Sequence, residues 1–254
     1  MLKNIDLEQI ITIAKDAGDV IMEIYQKDFD VDYKEDNSPL TIADLKSNEL
    51  ICSRLQDLYP NIPIISEENR EVEYSIRKNW EYYWCIDPID GTKEFVKKND
   101  EFTVNIALIH IDKPVLGVVY APALKDMYSA KDGVGAFKNS YKLPLKVNKD
   151  KKNHITIVAS KSHLTDETKE YIDNLTKNIE NQTFISKGSS LKLCMVAEGE
   201  ADIYPRLAPT MEWDTAAADA IVRLSGKMTY QYGVENQKVI YNKENLLNPW
   251  FIVR

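Results

Sequence analysis

Apolar residues near the start of the chain recur every three or four positions, from Leu7 to Tyr25. This spacing places them on one side of a helix, so it predicts a first helix over these residues. A polar connection, KEDNSP, follows, and the segment TIADLKSNELICSRLQDL then predicts a second helix. Pro60 lies beyond its end, as is common after a helix. The short apolar run IPIIS is a strand candidate.

From Tyr82 onward the pattern changes to apolar runs typical of strands: YYWCID, TVNIALIHI, PVLGVVYAP and DMYSA. Turn signals near Pro114 and Gly133 separate or close these runs, which predicts an antiparallel meander. After a lysine-rich stretch, strand and helix patterns alternate to the end of the chain. This alternation is typical of layered α/β packing. We therefore predict an α+β domain over 1–148 and an α/β domain over 149–254.

The composition narrows the class of protein. With 44% hydrophobic and 28% charged residues, the chain has an ordinary globular composition. No apolar run approaches the roughly 20 residues that span a bilayer, and the N-terminus lacks a secretory cleavage pattern. We predict a cytoplasmic protein without a transmembrane segment, with peripheral association at the inner membrane left open. The net charge of −8 argues against a nucleic acid polymer as partner.

The three cysteines are Cys52, Cys85 and Cys194. They are too few and too scattered for a disulfide framework or a cysteine-ligated zinc site. We predict that all three are reduced and buried as small hydrophobic side chains.

The motif DPIDGT places two aspartates, Asp87 and Asp90, at the end of a predicted strand. Pro88 restricts the backbone to a turn, and Gly91 allows a close approach to a ligand. Two ionised carboxylates on one loop repel each other unless a cation lies between them, and such oxygen ligands suit Mg²⁺. The alternative is an ordinary turn, since Asp, Pro and Gly are common turn residues.

Other acids have the same two interpretations. Glu67 and Glu68 follow the IPIIS strand, and the pair is either part of a site or solvated. Asp214 opens a helix rich in small residues, where an N-cap is the alternative. Asp44 lies three residues after Thr41, where a capping box is the alternative.

The motifs SPLTIAD, SEE, DPIDGT and WDTAAAD occur in this order over nearly the whole chain. Together they resemble the inositol monophosphatase superfamily of metal-dependent phosphatases. Further segments are most similar to the CysQ-type 3′(2′),5′-bisphosphate nucleotidases within it: DGTKEF, EFTVNIALI, GVVYAP, SKSH, GSSLK, VAEGEADIYPR and LLNPWF. The resemblance implies a layered αβαβα fold, two or three Mg²⁺ ions as cofactors and inhibition by lithium.

The resemblance also implies roles for particular residues. The implied metal ligands are Glu67, Asp87, the carbonyl of Ile89, Asp90 and Asp214. The implied catalytic residues are Thr92, which orients the attacking water, Asp44, which accepts its proton, and Glu67. The implied substrate-binding residues are Glu67, Ile89, Asp90, Gly91, Thr92, His163, Ser189, Lys192, Arg206 and Asp214. Glu68 would be an outer partner of the metal site, and Lys93 would add a positive charge near the phosphate.

Arg suits a bidentate phosphate contact and Lys a point charge. Without the resemblance, Lys192 and Arg206 are interpreted as surface charges and His163 as a loop residue.

By resemblance we expect an enzyme that removes the 3′-phosphate of adenosine 3′,5′-bisphosphate to give AMP. Its sulfated form is a second candidate substrate. Three alternatives stay open: the same chemistry on an inositol or sugar phosphate, a non-catalytic sensor of Mg²⁺ and nucleotide, and acids that are only turns and caps. The sequence does not specify an oligomeric state.

Overall fold

The computed structural model describes residues 1–27, 29–33, 39–69, 72–145, 153–160 and 165–254, with only the backbone of Tyr33. Within these ranges the α-helices are α1 (Leu7–Tyr25), α2 (Ile42–Leu58), α3 (Tyr74–Arg77), α4 (Thr92–Val96), α5 (Asp166–Thr176), α6 (Leu191–Glu198) and α7 (Glu212–Leu224). The strands of the first half are β1 (Val31–Tyr33), β2 (Pro39–Thr41), β3 (Ile64–Ser66), β4 (Tyr82–Asp90), β5 (Thr103–His110), β6 (Lys113–Ala121), β7 (Asp126–Lys131), β8 (Gly135–Lys138) and β9 (Tyr141–Lys142). Those of the second half are β10 (His154–Ala159), β11 (Asn181–Ser186), β12 (Tyr204–Arg206), β13 (Thr229–Gln231) and β14 (Phe251–Val253).

The largest sheet in the described part of the chain runs in the order β3-β4-β5-β6-β7-β8-β9. Only its first pair, β3 and β4, is parallel, and every later pair is antiparallel. The predicted meander is therefore confirmed. Strands β8 and β9 extend the meander beyond the predicted strands. The sequence did not predict these two strands because neither has a long apolar pattern of its own.

The two faces of this sheet are both buried, and successive residues of a strand point to opposite faces. Trp84 and Ile86 of β4 pack with the apolar sides of α1 and α2. Tyr83 and Cys85 of the same strand pack with α6 and α7. This is why the strands read as nearly continuous apolar runs and not as an alternation of apolar and polar residues.

Helix α7 lies very close to the sheet because small residues face each other. A Cβ atom added at Gly117 of β6 would lie 2.1 Å from the carbonyl oxygen of Ala217 in α7. Only glycine therefore fits at this crossing. The small-residue run TAAADA is a packing surface for α7, and it fixes the height of that helix above the sheet.

The second half of the chain forms a further β layer. Strand β10 pairs in parallel with β11, and β14 pairs antiparallel with both β12 and β13. A bridge between Ile157 and Ile203 joins β10 to the residues before β12. Helix α5 covers the outer face through Ile172. The layers are thus α1 and α2, the large sheet, α6 and α7, the second sheet, and α5, which confirms the predicted αβαβα fold.

The predicted boundary at 148 lies outside the described residues, so the division into domains stays a prediction. Cys85 and Cys194 are buried and Cys52 is partly exposed, and all three are free thiols. No helix in the described ranges is long and apolar enough to cross a membrane.

Candidate active site

Three acids from distant parts of the chain meet at one end of the large sheet. Ser66 of β3 is opposite Ile86 of β4 in a parallel pair, so Glu67 and Asp87 follow side by side. Asp214 approaches from the first turn of α7. One carboxylate oxygen from each of the three acids lies within 4.8 Å of the others. The interpretation of these acids as scattered turns and caps is therefore wrong for this group.

Asp214 also stabilises the start of α7, although not as the N-cap that was its alternative. Helix α7 begins at Glu212, so Asp214 is at its third position and not at its N-cap. The N–H of Met211 donates to Oδ2 of Asp214 over 2.8 Å. This hydrogen bond satisfies a free amide at the helix start and orients the carboxylate towards Glu67 and Asp87.

The sequence predicted a turn at DPID after the strand, and this prediction is wrong. Strand β4 continues through DPID to Asp90, with a bulge between Asp87 and Asp90 opposite β5. Proline is tolerated at such a bulge because a ladder hydrogen bond is already lost there. The bulge is held by Ser47, whose hydroxyl donates to the Pro88 carbonyl over 3.0 Å, and by the Ile89 N–H, which donates to Asp87 over 3.1 Å.

Burial, together with crowding, raises the pKa values of Asp87 and Asp214. Burial, and then repulsion by Glu67, raises the pKa of Asp87 well above its usual range. Burial, and then repulsion by Asp90, raises the pKa of Asp214 to about 8. A bound cation would offset both effects. The hard oxygen donors and their mutual repulsion fit a divalent metal such as Mg²⁺.

Asp90 lies beside this group, with one oxygen engaged elsewhere. Its Oδ2 accepts hydrogen bonds from the N–H of Ser190 and from Nδ2 of Asn105. Burial raises the pKa of Asp90 to about 6, and Lys192 opposes that rise. Asp90 is therefore within electrostatic reach of the three acids, while it also contacts the start of α6.

Thr92 begins α4 directly after Gly91, whose φ of 89° places it in the left-handed region that favours glycine. The Thr92 hydroxyl lies 3.3 Å from Asp44 Oδ1 and 3.2 Å from the Ile89 carbonyl oxygen. Asp44 Oδ2 accepts from the N–H of Thr41 over 2.8 Å and from its hydroxyl over 2.6 Å. Asp44 therefore forms the capping box through Oδ2 and contacts Thr92 through Oδ1.

A cavity of about 270 Å³ joins these acids to the second half of the chain. Lys192 and Arg206 both line it. Lys192 is only 6% exposed, so its interpretation as a surface charge is wrong. Its Nζ donates to the Ser189 carbonyl over 2.6 Å. Burial lowers the pKa of Lys192 to about 8, although Asp90 opposes the change.

Two further groups in the cavity wall have unused hydrogen-bonding capacity. Arg206 donates from Nη2 to the Pro209 carbonyl over 2.9 Å, but its Nε is buried without a partner among the described residues. The Ser189 hydroxyl is likewise buried without such a partner. Buried polar groups of this kind are usually satisfied by a ligand or an ordered water. Both groups are suited to a polar ligand in the cavity.

The remaining predicted residues have mixed outcomes. Lys93 lines the cavity with an exposed side chain. Glu68 is half-buried in the turn after β3 and, among the described residues, is not part of the cavity wall. His163 lies outside the described residues.

Sequence reasoning assigned no role to Thr103, Asn105 or Ser190, although all three are buried at this site. Thr103 and Asn105 are polar residues at alternate positions of a strand whose next residues on the same face are apolar. Two polar residues on an otherwise apolar strand face are a signal in the sequence that could have identified Thr103 and Asn105 as site residues. Ser190 follows Ser189 in GSSLK, and nothing in the sequence separates the roles of the two serines.

Comparisons with known proteins identify the family of this chain. The model of the Inositol monophosphatase family matches residues 6–249. The "3′(2′),5′-bisphosphate nucleotidase CysQ" of Salmonella typhimurium is 45% identical over 250 residues, which cover 97% of this chain and 98% of that protein. The protein of the same name from Escherichia coli K12 is 44% identical with the same coverage.

A solved structure, that of CysQ from Bacteroides thetaiotaomicron, is described as a bacterial member of the inositol monophosphatase family. It is 47% identical and superimposes with a TM-score of 0.87, over 98% of this chain and 96% of that one. The match of sequence motifs, fold and full-length relatives leads to one conclusion. This chain belongs to the inositol monophosphatase family.

Proposed function

We propose that this protein is a Mg²⁺-dependent 3′(2′),5′-bisphosphate nucleotidase. It would remove the 3′-phosphate of adenosine 3′,5′-bisphosphate to give AMP and phosphate, with the sulfated nucleotide as a second substrate. The names of relatives that are 44% and 45% identical over nearly their whole length support this activity.

One observation carries the proposal: a single cavity combines a cluster of acids with two buried or half-buried cations. Glu67, Asp87 and Asp214 form the cluster, and Lys192 and Arg206 line the same wall. A nucleotide with two phosphates needs one binding place for the phosphate that reacts and another for the phosphate that stays. Metal-ligating acids suit the first and side-chain cations the second.

In this proposal, Glu67, Asp87, Asp90, Asp214 and the Ile89 carbonyl hold two or three Mg²⁺ ions. The ions, when bound, supply positive charge that neutralises the phosphoryl group and its leaving oxygen. The raised pKa values of Asp87 and Asp214 support these ligands, since such carboxylates gain most from a cation.

The attacking water is oriented by Thr92. Its hydroxyl donates a hydrogen bond to Asp44 Oδ1, so its lone pair is free to accept a proton from the water as its own proton passes to Asp44. The water oxygen forms a bond to phosphorus while its proton passes through Thr92 to Asp44. The bond from phosphorus to the 3′ oxygen breaks, and the ribose oxygen takes a proton from a solvent water. The N–H groups of Gly91 and Thr92, at the start of α4, would donate to the phosphate oxygens.

The nucleotide is held by the second half of the chain. Lys192, Arg206 and the Ser189 hydroxyl contact the remaining phosphate and the ribose, together with His163. The buried, unpartnered Nε of Arg206 and hydroxyl of Ser189 support this assignment, because a ligand would satisfy both.

Phosphate release tests the proposal directly. Adenosine 3′,5′-bisphosphate, inositol 1-phosphate and fructose 1,6-bisphosphate are assayed side by side, with Mg²⁺ and with EDTA. We expect release from the nucleotide to be fastest and to require Mg²⁺. A faster reaction with inositol phosphate or the sugar would replace the substrate but keep the chemistry. No Mg²⁺-dependent release from any of the three would refute an enzyme of this class.

A further inference from the structure

Strand β5 carries two buried polar side chains where an apolar face is expected. Thr103 and Asn105 are 0% and 1% exposed, and they lie on the face of the sheet that packs against α6 and α7. Ala107 and Ile109 continue that face. Burying an amide and a hydroxyl costs free energy unless each finds hydrogen-bond partners, so their partners indicate their purpose.

The partners form a closed ring. The Ser190 hydroxyl donates to Asn105 Oδ1 over 2.9 Å, and Asn105 Nδ2 donates to Asp90 Oδ2 over 3.4 Å. The N–H of Ser190 donates to the same Oδ2. The Thr103 hydroxyl lies 2.9 Å from the Ser190 hydroxyl. Because the Ser190 hydroxyl donates to Asn105, the Thr103 hydroxyl is the donor in this pair. Each of the four donor atoms in the ring thus has an acceptor.

The ring fixes Asp90 relative to α6. Two donors hold Oδ2, and among the described residues no hydrogen bond falls on Oδ1. A carboxylate held in this way presents its second oxygen in one orientation. Residues that hold a metal ligand through its second oxygen set its orientation and its affinity for the metal.

The same ring fixes the loop before α6. Ser190 directly follows Ser189, which has the left-handed φ of 47° that a non-glycine residue rarely adopts. On the far side, Glu101 accepts from the N–H of Gly188 over 2.7 Å and from Lys187 Nζ over 3.1 Å. The loop is therefore held between Glu101 and the Asn105 ring.

We propose that Asn105 and Ser190 are positioning residues that join the metal site to the nucleotide-binding loop through Asp90. This inference rests on the proposed function, in which Asp90 binds Mg²⁺ and Ser189 and Lys192 bind the nucleotide. One set of hydrogen bonds fixes both the orientation of Asp90 and the position of the loop that carries Ser189. Loss of the ring therefore weakens Mg²⁺ binding and nucleotide binding together.

The test is calorimetric titration with Mg²⁺ alone, without nucleotide, on Asn105→Ala, Ser190→Ala and Ser190→Thr. We expect the Kd for Mg²⁺ to rise about tenfold in both alanine variants, as is usual when a residue behind a metal ligand is removed. Ser190→Thr keeps a hydroxyl and is expected to restore most of the affinity. The double alanine variant is expected to bind Mg²⁺ no more weakly than Asn105→Ala, because both changes break one ring.

A matched control is Thr229→Val, which also removes a buried strand hydroxyl but lies outside the ring. It is expected to leave the Kd for Mg²⁺ unchanged. A second measurement is the KM for adenosine 3′,5′-bisphosphate, which is expected to rise in both alanine variants. Circular dichroism in EDTA establishes that each variant is folded. If Asn105→Ala does not fold, Ser190→Ala carries the test, because it keeps the backbone donor to Asp90.

An unchanged Kd for Mg²⁺ in folded Ser190→Ala would overturn the inference, as would a wild-type protein that takes up no Mg²⁺. The calorimetry uses no substrate, so its result is separate from that of the phosphate-release assay. A wild type that releases no phosphate but shows the expected changes in Kd would refute the activity and leave the positioning role intact.

Discussion

The Thr92 hydroxyl lies 3.3 Å from Asp44 Oδ1, and the Thr41 cap of α2 is bonded to the other oxygen of the same carboxylate. Asp44 is 1% exposed, so this geometry is shielded from water. The helix cap fixes the side chain in the orientation that Thr92 requires. A structural role and a proposed catalytic role are therefore carried by two oxygens of one side chain.

Replacement of Thr92 by alanine tests the catalytic part of this pair. We expect Thr92→Ala to lower kcat about 100-fold or more, since positioned proton transfer contributes about 10² to 10⁴ to a rate. KM and the Kd for Mg²⁺ should change little, because the hydroxyl is proposed to act on the water. Steady-state phosphate release and calorimetry measure these values.

Thr92→Ser is the matched variant, since it keeps the hydroxyl and removes only a methyl group. It should retain most of the wild-type kcat. If Thr92→Ala releases phosphate at the wild-type rate, the hydroxyl has no part in orienting the water.

The sequence predicted the acids of the site but not how they are brought together. The spacing of apolar residues is a local property, and it predicted α1, α2 and the strands of the meander. The bulge between Asp87 and Asp90 depends on the register of β4 against β5, which no local pattern specifies. The ring through Asn105 likewise depends on a contact with Ser190, 85 positions further along the chain.

The pH dependence of stabilisation by Mg²⁺ tests the acid cluster. The carboxyl pKa of Asp214 is about 8 in the metal-free fold against an ordinary 3.8. Because the folded pKa is raised, the metal-free protein loses stability as pH rises from about 4 to about 8. Mg²⁺ favours the ionised carboxylates, so the rise in Tm that it causes should be larger at pH 8.5 than at pH 6.

Asp214→Asn provides the control for this titration. It removes one of the repelling charges, so the metal-free Tm at pH 8.5 should rise and the response to Mg²⁺ should shrink. Thermal unfolding of each protein at pH 6 and pH 8.5, with and without Mg²⁺, gives these Tm values. A rise in Tm that is equal at pH 6 and pH 8.5 in the wild type would contradict the cluster as the site of binding.

Substrate selection tests the cations of the cavity. The double variant Lys192→Met with Arg206→Gln should lower kcat/KM for adenosine 3′,5′-bisphosphate more than about 100-fold, since each of the two hydrogen bonds to a charged group contributes about 1.5 to 3 kcal/mol. A small ester without a second phosphate, such as p-nitrophenyl phosphate, should be affected much less. The ratio of the two kcat/KM values is the measurement.

Arg206→Gln alone distinguishes an effect on binding of the second phosphate from an effect on the metal site. Lys192 opposes the rise in the pKa of Asp90, so its loss also disturbs an acid of the metal site. If both esters lose activity to the same extent in Arg206→Gln, the assignment of Arg206 to the second phosphate is wrong.

The close crossing of α7 over the sheet links packing to the metal site. In Gly117→Ala the new Cβ would lie 2.1 Å from the Ala217 carbonyl oxygen, so α7 must shift. Overpacking of this kind costs about 1 to 3 kcal/mol of unfolding free energy. Because α7 carries Asp214, the shift should also raise the Kd for Mg²⁺.

Gly133→Ala separates these two effects. Gly133 has no atom near an added Cβ, but its φ of +80° makes alanine unfavourable by about 1 to 2 kcal/mol. Its stability loss in urea should therefore be similar to that of Gly117→Ala, while its Kd for Mg²⁺ stays at the wild-type value. If Gly117→Ala also binds Mg²⁺ with wild-type affinity, the position of Asp214 does not depend on the contact between α7 and β6, and the proposed link between core packing and metal binding is wrong.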